Sequence, residues 1–507
     1  MADTIFSSLA ARAERAGGSV ALEATGRAPL TYVRLHEQLR YVVTTLNNTG
    51  IGRGDRVTVV LPGGSDLAVL SLGVLAGATV APLNPEYKLA EFEYYFESLG
   101  AKLLITQAGL DSPARIAARD KQVPILELEA TPESIAGVFR LIGNSRACGA
   151  SGFAEAADIG LTLHTSGTTS RPKPVPLSQR NLWASVTNLV ASLQLTTGDR
   201  CLHVLPQFHI GGLIDVLAAP LSVGGRVICT SGFSVPEFYR GLDHYQPTWC
   251  QAVPTMMQEI LTYAEDHQAI IKKNSLRLMR SVSAPLPPSV LEAFERIFKV
   301  PVIEIFGMTE TAGLITSNPL PPGVRKPGSA GIAVGSDLGI IGATGERLAA
   351  NQRGEVVVRG ASLTAGYENL REENARTFVD GWFRTGDEGH LDADGYLFIT
   401  GRIKEIINRG GEKIAPREVD DVLMDHPAVA QVVTFAMPHD KLGEEVAAAV
   451  VLQEGQQASE QDLRSFAATR LADFKVPRKI VFLPEIPKGA TGKLQRIGLA
   501  QRLGLTG

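Results

Sequence analysis

The sequence predicts an α/β protein: a large N-terminal domain of two α/β subdomains plus a small β-barrel, followed by a small α+β C-terminal domain. Three observations predict it. Short apolar runs alternate with helical stretches from about residue 5 to 160 and again from 201 to 306, the pattern of parallel sheets covered by helices. Near residue 325 the texture changes to short strands and Gly-rich turns. After Gly401-Arg402 a compact α+β pattern follows. At 507 residues the chain exceeds what one hydrophobic core usually supports, so more than one domain is expected.

In the first round, Val57–Leu61 reads as a strand and Leu67–Leu75 as a buried helix, with further strands at Val80–Leu83 and Leu103–Thr106. The second round runs through Cys201–Leu205, a helix near Leu213–Leu221, then Arg226–Cys229, Trp249–Val253, Leu278–Val282 and Val302–Phe306. Gly354–Gly360 and Asp392–Ile399 carry the short-strand texture of a small barrel or sandwich. The last region reads as a helix at Pro416–Asp425, strands at Val429–Ala436 and Val446–Leu452, and a helix at Glu460–Leu471. The domain boundary is placed between residues 403 and 404, giving domains of 1–403 and 404–507.

Composition narrows the function classes. A net charge of −4 gives no general attraction to nucleic acid or to an anionic membrane. The four cysteines (Cys148, Cys201, Cys229 and Cys250) show no C-x-x-C spacing, so buried free thiols in a reducing compartment are expected. The first residues lack a basic region followed by an apolar run, and no 18-residue uncharged apolar stretch occurs. A cytoplasmic protein without membrane or nucleic-acid partners is the expectation.

One loop stands out chemically. Thr165-Ser166-Gly167-Thr168-Thr169-Ser170-Arg171-Pro172-Lys173 follows the apolar run Ile159–Leu163. A strand ending in such a loop can hold an anion: glycine lets the backbone approach phosphate oxygens, hydroxyls donate, and Arg171 and Lys173 offset charge. An ordinary polar turn is the competing reading. The common pattern G-x-x-x-x-G-K-[ST] is not matched, because Pro172-Lys173-Pro174 cannot open the helix it requires. The loop therefore points to a nucleotide held on another scaffold.

Five further patches give the loop a context: Ser283-Ala284-Pro285, Phe306-Gly307-Met308-Thr309-Glu310, Trp382–Asp387, Gly401–Lys413 and Pro487–Lys493. Together, and in this order over nearly the whole chain, they resemble the acyl-adenylating superfamily. That group contains acyl-CoA synthetases, luciferases and peptide-synthetase adenylation domains. The resemblance implies ATP, Mg²⁺ and coenzyme A as cofactors, a small-molecule acid as substrate, and a mobile C-terminal domain. Adenylation sends a carboxylate oxygen onto the α-phosphate of ATP and expels pyrophosphate, which needs positioning and charge neutralisation above all.

The resemblance also implies roles. Thr165, Ser166, Gly167, Thr168, Thr169 and Lys173 would form the phosphate loop, with Thr168 in the catalytic set. Glu310 corresponds to the Mg²⁺ ligand, a capping carboxylate after Thr309 being the alternative. Ser283, Ala284, Pro285, Phe306, Gly307, Met308 and Thr309 would line the nucleotide site, and Ile399 joins them. Asp387 resembles the acceptor for the ribose diol, with a turn aspartate after Gly386 as the alternative. Arg402 matches the arginine that assists at ribose and phosphate. Lys493 matches the lysine that contacts substrate carboxylate and α-phosphate; a solvated lysine is the alternative. Lys404 aligns with the hinge, and Gly410-Gly411 with the loop lining the thiol tunnel. Arg409, Lys413, Lys475, Arg478 and Lys479 form a basic cluster able to receive the 3′-phosphate of coenzyme A, or simply a charged solvent face.

The acid is the open term. Leu205–Gly212 resembles the aromatic-gate segment, with His209 at the gate, and lacks the aspartate that amino-acid-activating relatives place there. Leu163–Lys173, Thr316–Pro321 and Arg402–Lys413 look closest to the oxalate-type branch. That branch has histidines where this chain has Gly211 and Gly313, which would balance a second carboxylate, so their loss enlarges the pocket. Pro174 replaces the usual glycine and should stiffen the loop's exit at the expense of one amide donor. The leading expectation is an AMP-forming acid:CoA ligase for a small or medium acid. A rival passes the adenylate to a carrier protein or an amine. A non-catalytic binding protein is the third reading, against which intact Glu310 and Lys493 speak.

Overall fold

The computed structural model describes residues 3–130, 134–143, 150–165, 172–487 and 496–505. Two compact units emerge, one from residues 1–165, 173–337 and 359–381 and the other around residues 338–358 and 382–507.

The first unit contains two predominantly parallel sheets. In the seven-stranded sheet the order is Arg140–Ile142, Ile125–Glu129, Leu103–Gln107, Arg56–Val60, Thr79–Pro82, Ile159–Thr165 and Lys173–Ser178. Its inner strands pair in parallel, as in Val57↔Val80 and Val57↔Leu103, and both edges are antiparallel. The Val- and Leu-rich run at Ser65–Leu75 forms a helix whose residues, Asp66 apart, are all buried. Such an all-round apolar helix has no solvent face to offer and must be covered by other elements on every side.

The nine-stranded sheet runs Ile332–Ala333, Gly313–Ser317, Val302–Met308, Leu278–Ser281, Trp249–Ala252, Arg200–His203, Arg226–Cys229, Val20–Ala24 and Leu30–Thr31. Its central strands are parallel, so their carboxyl ends lie along one rim, where open α/β sheets bind ligands. Cys201, Cys229 and Cys250 lie buried on adjacent strands as free thiols; Cys148 is outside the described residues.

The helix expected near Leu213–Leu221 takes a different form. Gly211–Ala218 is a π-helix, continued by the short α-helix Ala219–Ser222. Pro220 has no N–H to donate, so a regular α-helical ladder cannot run unbroken through this segment, and the amide of Ala219 bonds instead to the carbonyl of Ile214.

In the second unit, Gly354–Gly360, Trp382–Leu391 and Leu397–Arg402 pair antiparallel where the small barrel is expected. The C-terminal sheet orders Glu412–Ile414, Ile407–Arg409, Gly443–Leu452 and Val429–His439, with Lys479–Phe482 pairing parallel to Gly443–Leu452. Helices Pro416–Met424 and Glu460–Ala468 accompany it, which completes an α+β pattern.

A buried imidazole, His203, and a half-buried one, His164, couple the first unit's stability to pH. His203 Nε2 donates to the carbonyl of Gly212 at 2.8 Å, and burial pushes its pKa down to about 4. His164 sits 3.0 Å from Ser98 Oγ and is pushed down to about 4 by burial, with Arg56 adding to the effect. Each is neutral in the fold and titrates near 6.5 when unfolded, so between those values the unfolded chain binds more protons. Stability from these groups is complete above pH 6.5 and falls as the pH drops toward 4. His203→Gln, which keeps a donor for Gly212, should therefore recover about 2 kcal/mol of the stability that the parent protein loses between pH 7 and 5. Urea melts at the two pH values check this, and parallel losses in parent and variant would contradict it.

Candidate functional site

Strands Ile159–Thr165 and Lys173–Ser178 form an antiparallel hairpin in which Thr165 pairs with Lys173. The first and last residues of the predicted phosphate loop, Thr165 and Lys173, are thus cross-strand partners. Ser166, Gly167, Thr168, Thr169 and Arg171 lie outside the described residues, as does Lys493.

Lys173–Ser178 is the sheet's edge strand, and its prolines fit that place. Pro174 and Pro176 pair with His164 and Thr162, while their carbonyls accept from the amide of Glu368 at 3.1 Å and from Thr364 Oγ1 at 2.5 Å. The amide that Pro174 lacks would point away from the neighbouring strand. The proline therefore costs the hairpin ladder nothing, and the strand's outer edge offers acceptors to which residues 364–368 dock. Arg56 Nη2 holds Glu368 at 2.6 and 2.8 Å, and Asn181 Nδ2 donates to the carbonyls of Ala361 and Leu363 at 2.9 and 2.8 Å.

That docked segment carries Tyr367, which the sequence reading did not single out. Its hydroxyl donates to Glu310 Oε1 at 2.8 Å, and the Lys173 ammonium lies 4.8 Å from its ring centre. Asn374 clamps the Tyr367 backbone, accepting from its amide at 2.8 Å and donating to its carbonyl at 2.7 Å. Lys173 also pairs with Glu373, whose other oxygen accepts from Arg376. Two predicted positions, Lys173 and Glu310, thus meet through Tyr367, which carries no motif of its own, and Thr165 is the strand partner of Lys173.

Glu310 is 4% exposed and follows the strand Val302–Met308 in the 3-10 turn Thr309–Thr311. It does not cap a helix: its side chain is held by Tyr367, and its carbonyl accepts from the amide of Thr364 at 2.8 Å. Phe306, Gly307, Met308 and Thr309 are half-buried, and the ladder to Gly313–Ser317 shifts register between Phe306 and Gly307. A Cβ on Gly307 would come within 2.0 Å of the Gly313 carbonyl, so only glycine permits this approach.

Ser283, Ala284 and Pro285 form an exposed turn after the strand Leu278–Ser281, with Ser283 at φ +70°. A non-glycine residue in that region stores strain, which functional turns often do. His209 is half-buried, its ring 4.7 Å from that of Phe208.

In the second unit, Asp387 and Arg402 are cross-strand partners, and Arg402 Nε lies 3.0 Å from Asp387 Oδ1. Asp387 is buried, its amide bonded to Thr385 Oγ1 at 3.1 Å, while the arginine reaches toward solvent. A buried carboxylate beside an exposed guanidinium can accept hydroxyls and receive phosphate. Ile399 lies on the strand Leu397–Arg402, its carbonyl taken by Arg417 at 2.7 Å. Lys404 is exposed in the 3-10 turn Ile403–Glu405.

Gly410 and Gly411, at φ +59° and +103°, connect Ile407–Arg409 to Glu412–Ile414 as a two-residue hairpin turn, so backbone geometry alone demands glycine there. The basic cluster is mostly neutralised in place. Arg409 pairs with Glu445, Lys475 with Glu418, Arg478 with Asp473 and Lys479 with Glu460. Lys413 is exposed.

A magnesium ion fits Glu310 by donor chemistry. Oε1 is occupied by Tyr367, leaving Oε2 as a hard oxygen donor. Among the described residues no group of three or more His, Cys, Asp or Glu side chains could hold a metal, so the remaining ligands would come from phosphates and water, as magnesium prefers.

Replacing Tyr367 by Phe keeps the ring beneath Lys173 and deletes only the donor to Glu310. Adenylation should fall about ten-fold, the worth of one hydrogen bond to a buried carboxylate. Pyrophosphate release measured beside a thermal melt checks this; unchanged turnover would reduce the tyrosine to packing.

Comparison with known proteins gives a consistent result. Residues 9–368 match the family described as AMP-binding enzyme, and residues 418–493 match its C-terminal domain. An oxalate–CoA ligase of Arabidopsis thaliana is 42% identical over 490 residues, covering 95% of each chain. A sulfoacetate–CoA ligase of Cupriavidus necator is 37% identical, covering 89% of this chain and 88% of that one. The crystal structure of ATP-bound MatB from Rhodopseudomonas palustris superposes with a TM-score of 0.89 at 28% identity, covering 99% of both chains. The similarity to oxalate-type ligases read from the motifs holds across the chain.

Proposed function

This chain belongs to the AMP-binding enzyme family, and from that premise we propose a division of labour among its residues within an ATP-dependent, AMP-forming acid:CoA ligase. It activates a small carboxylic acid with ATP and Mg²⁺ and transfers the acyl group to coenzyme A. The observation that carries the assignment of roles is the joining of Glu310, Tyr367 and Lys173 in one constellation.

In the first step a carboxylate oxygen of the acid attacks the α-phosphorus of ATP, and the bond to pyrophosphate breaks. The Thr165–Lys173 loop holds the polyphosphate end. Lys173 stays over Tyr367 while the phosphates compete with Glu373 for its charge. Glu310 is the residue that would hold the magnesium ion, which supplies charge neutralisation when bound. Asp387 accepts the ribose hydroxyls, with Arg402 beside it at the phosphate. Lys493 contacts the α-phosphate and the attacking carboxylate. Ser283–Pro285 and Phe306–Thr309 line the nucleotide, and His209 gates the acid.

In the second step the thiol of coenzyme A attacks the acyl carbon and AMP leaves. A domain beginning at Lys404 swings about that residue, removing Lys493 and bringing Gly410-Gly411 to the thiol. With Arg409, Lys475, Arg478 and Lys479 already paired to carboxylates, a 3′-phosphate would have to exchange with those partners. No helix among the described residues is long and apolar enough to cross a membrane; we place the enzyme in the cytoplasm.

A pyrophosphate-release screen across small acids, with and without coenzyme A, tests the reading. Acid-dependent pyrophosphate and an acyl-CoA product are expected, and Lys493→Ala should abolish the first while sparing thioester formation from supplied acyl-adenylate. Absence of pyrophosphate with every acid would refute the ligase. Pyrophosphate without thioester would move the acceptor to a carrier protein or an amine, and equal loss of both steps in the variant would remove the swing.

A further inference from the structure

Beneath the gate segment lies a buried polar cluster outside the roles assigned above. Arg280, fully buried on the strand Leu278–Ser281, donates through Nη1 to Asp215 Oδ2 at 2.8 Å and to Gln251 Oε1. Gln251 Nε2 donates to the same Asp215 oxygen at 3.1 Å. Asp215 is 3% exposed and belongs to the π-helix Gly211–Ala218, a helix type concentrated at functional sites. Asp215 Oδ1 has no hydrogen-bond partner among the described residues, and neither do Arg280 Nε and Nη2. A buried carboxylate oxygen left without a donor is costly, and native structures seldom keep one without a use.

Gly211 and Gly313 open onto this carboxylate. A Cβ on Gly313 would lie 3.1 Å from Asp215 Oδ1, with Ser185 Oγ at 3.6 Å and Ile210 Cγ1 at 3.9 Å. A Cβ on Gly211 would lie 3.2 Å from Gln251 Nε2 and 3.8 Å from Asp215 Oδ2. Each missing side chain thus faces one oxygen of Asp215. The cluster also lies at the carboxyl ends of the strands Trp249–Ala252 and Leu278–Ser281, where parallel sheets receive ligands. Along the chain, Gly211 is two residues past His209, Gly313 three past Glu310, and Arg280 three before Ser283.

We propose that Asp215 selects the acid, favouring a small monocarboxylate whose chain bears a hydroxyl over an acid with a second anionic group. The proposal rests on the acid:CoA ligase reading and names its substrate class. Asp215 Oδ1 accepts a hydrogen bond from the substrate hydroxyl, which gives the orphaned oxygen its donor. A second carboxylate at the same place offers no donor to Oδ1 and, because Arg280 already balances the Asp215 charge, would be buried without a counter-charge. An ammonium is disfavoured likewise, since the neutral ion pair leaves it no counter-charge either. The aspartate absent from Phe208–Gly211 is therefore present seven residues after Phe208, but its charge is spent on an arginine.

The test is acid-dependent pyrophosphate release from the full-length enzyme, using matched acids of two to six carbons: unsubstituted, hydroxylated and dicarboxylic. At the preferred chain length the hydroxy acid should exceed both others at least ten-fold in kcat/KM. Asp215→Asn should narrow the hydroxy-over-unsubstituted preference and raise the dicarboxylate-to-hydroxy ratio at least ten-fold, with KM for ATP unchanged. A variant that slows all acids in parallel would assign Asp215 to structure alone and overturn the proposal. A parent enzyme that prefers the dicarboxylate, or ranks hydroxy and unsubstituted acids equally, would overturn it even if the variant failed to fold. Failure of the ligase reading looks different: no acid would release pyrophosphate, and the proposal would fall with it.

Discussion

The hydrogen bond from Tyr367 to Glu310 gathers the consequences of several distant parts of the first unit. Glu310 comes at the end of a parallel-sheet strand, in a turn whose close neighbour strand requires glycine at 307. Tyr367 comes from a segment with no sheet of its own, held because an edge strand with two prolines offers carbonyls outward. The ring then supports Lys173, at the exit of the phosphate loop. A carboxylate, a phenol and an ammonium from three parts of the chain thereby acquire fixed mutual positions. Fixed positions are what phosphoryl and adenylyl transfer chiefly need.

The second unit repeats the logic on a smaller scale. Pairing of Trp382–Leu391 with Leu397–Arg402 puts Asp387 opposite Arg402, so a ladder register creates the ion pair. Four basic residues of the same unit, Arg409, Lys475, Arg478 and Lys479, each pair with a carboxylate.

What could be read from the sequence follows from the range of the forces involved. The helix Ser65–Leu75 and the strands around Val57, Val80 and Leu103 were legible because apolar runs and period set them locally. Thr165, Lys173, Glu310, Asp387 and Arg402 are candidates from sequence because their patches keep a recognisable spacing and order. The π-helix was not: a single proline nine residues past Gly211 alters the ladder, and no periodicity announces it. Tyr367 and Glu373 carry no motif, and only tertiary docking brings them to Glu310 and Lys173. The partnership of Asp215 with Arg280 joins residues 65 apart through three elements. Pro174 read as a lost donor, whereas its edge position makes its carbonyl the useful group.

The central claim is that Tyr367 makes Lys173 and Glu310 act as one unit in adenylation. A double-mutant cycle tests it most directly, with Lys173→Met, Glu310→Gln and the pair assayed for kcat/KM of pyrophosphate release. The account predicts that the pair loses at least ten-fold less than the product of the single losses, about 1.4 kcal/mol of coupling. Losses that simply multiply would contradict it.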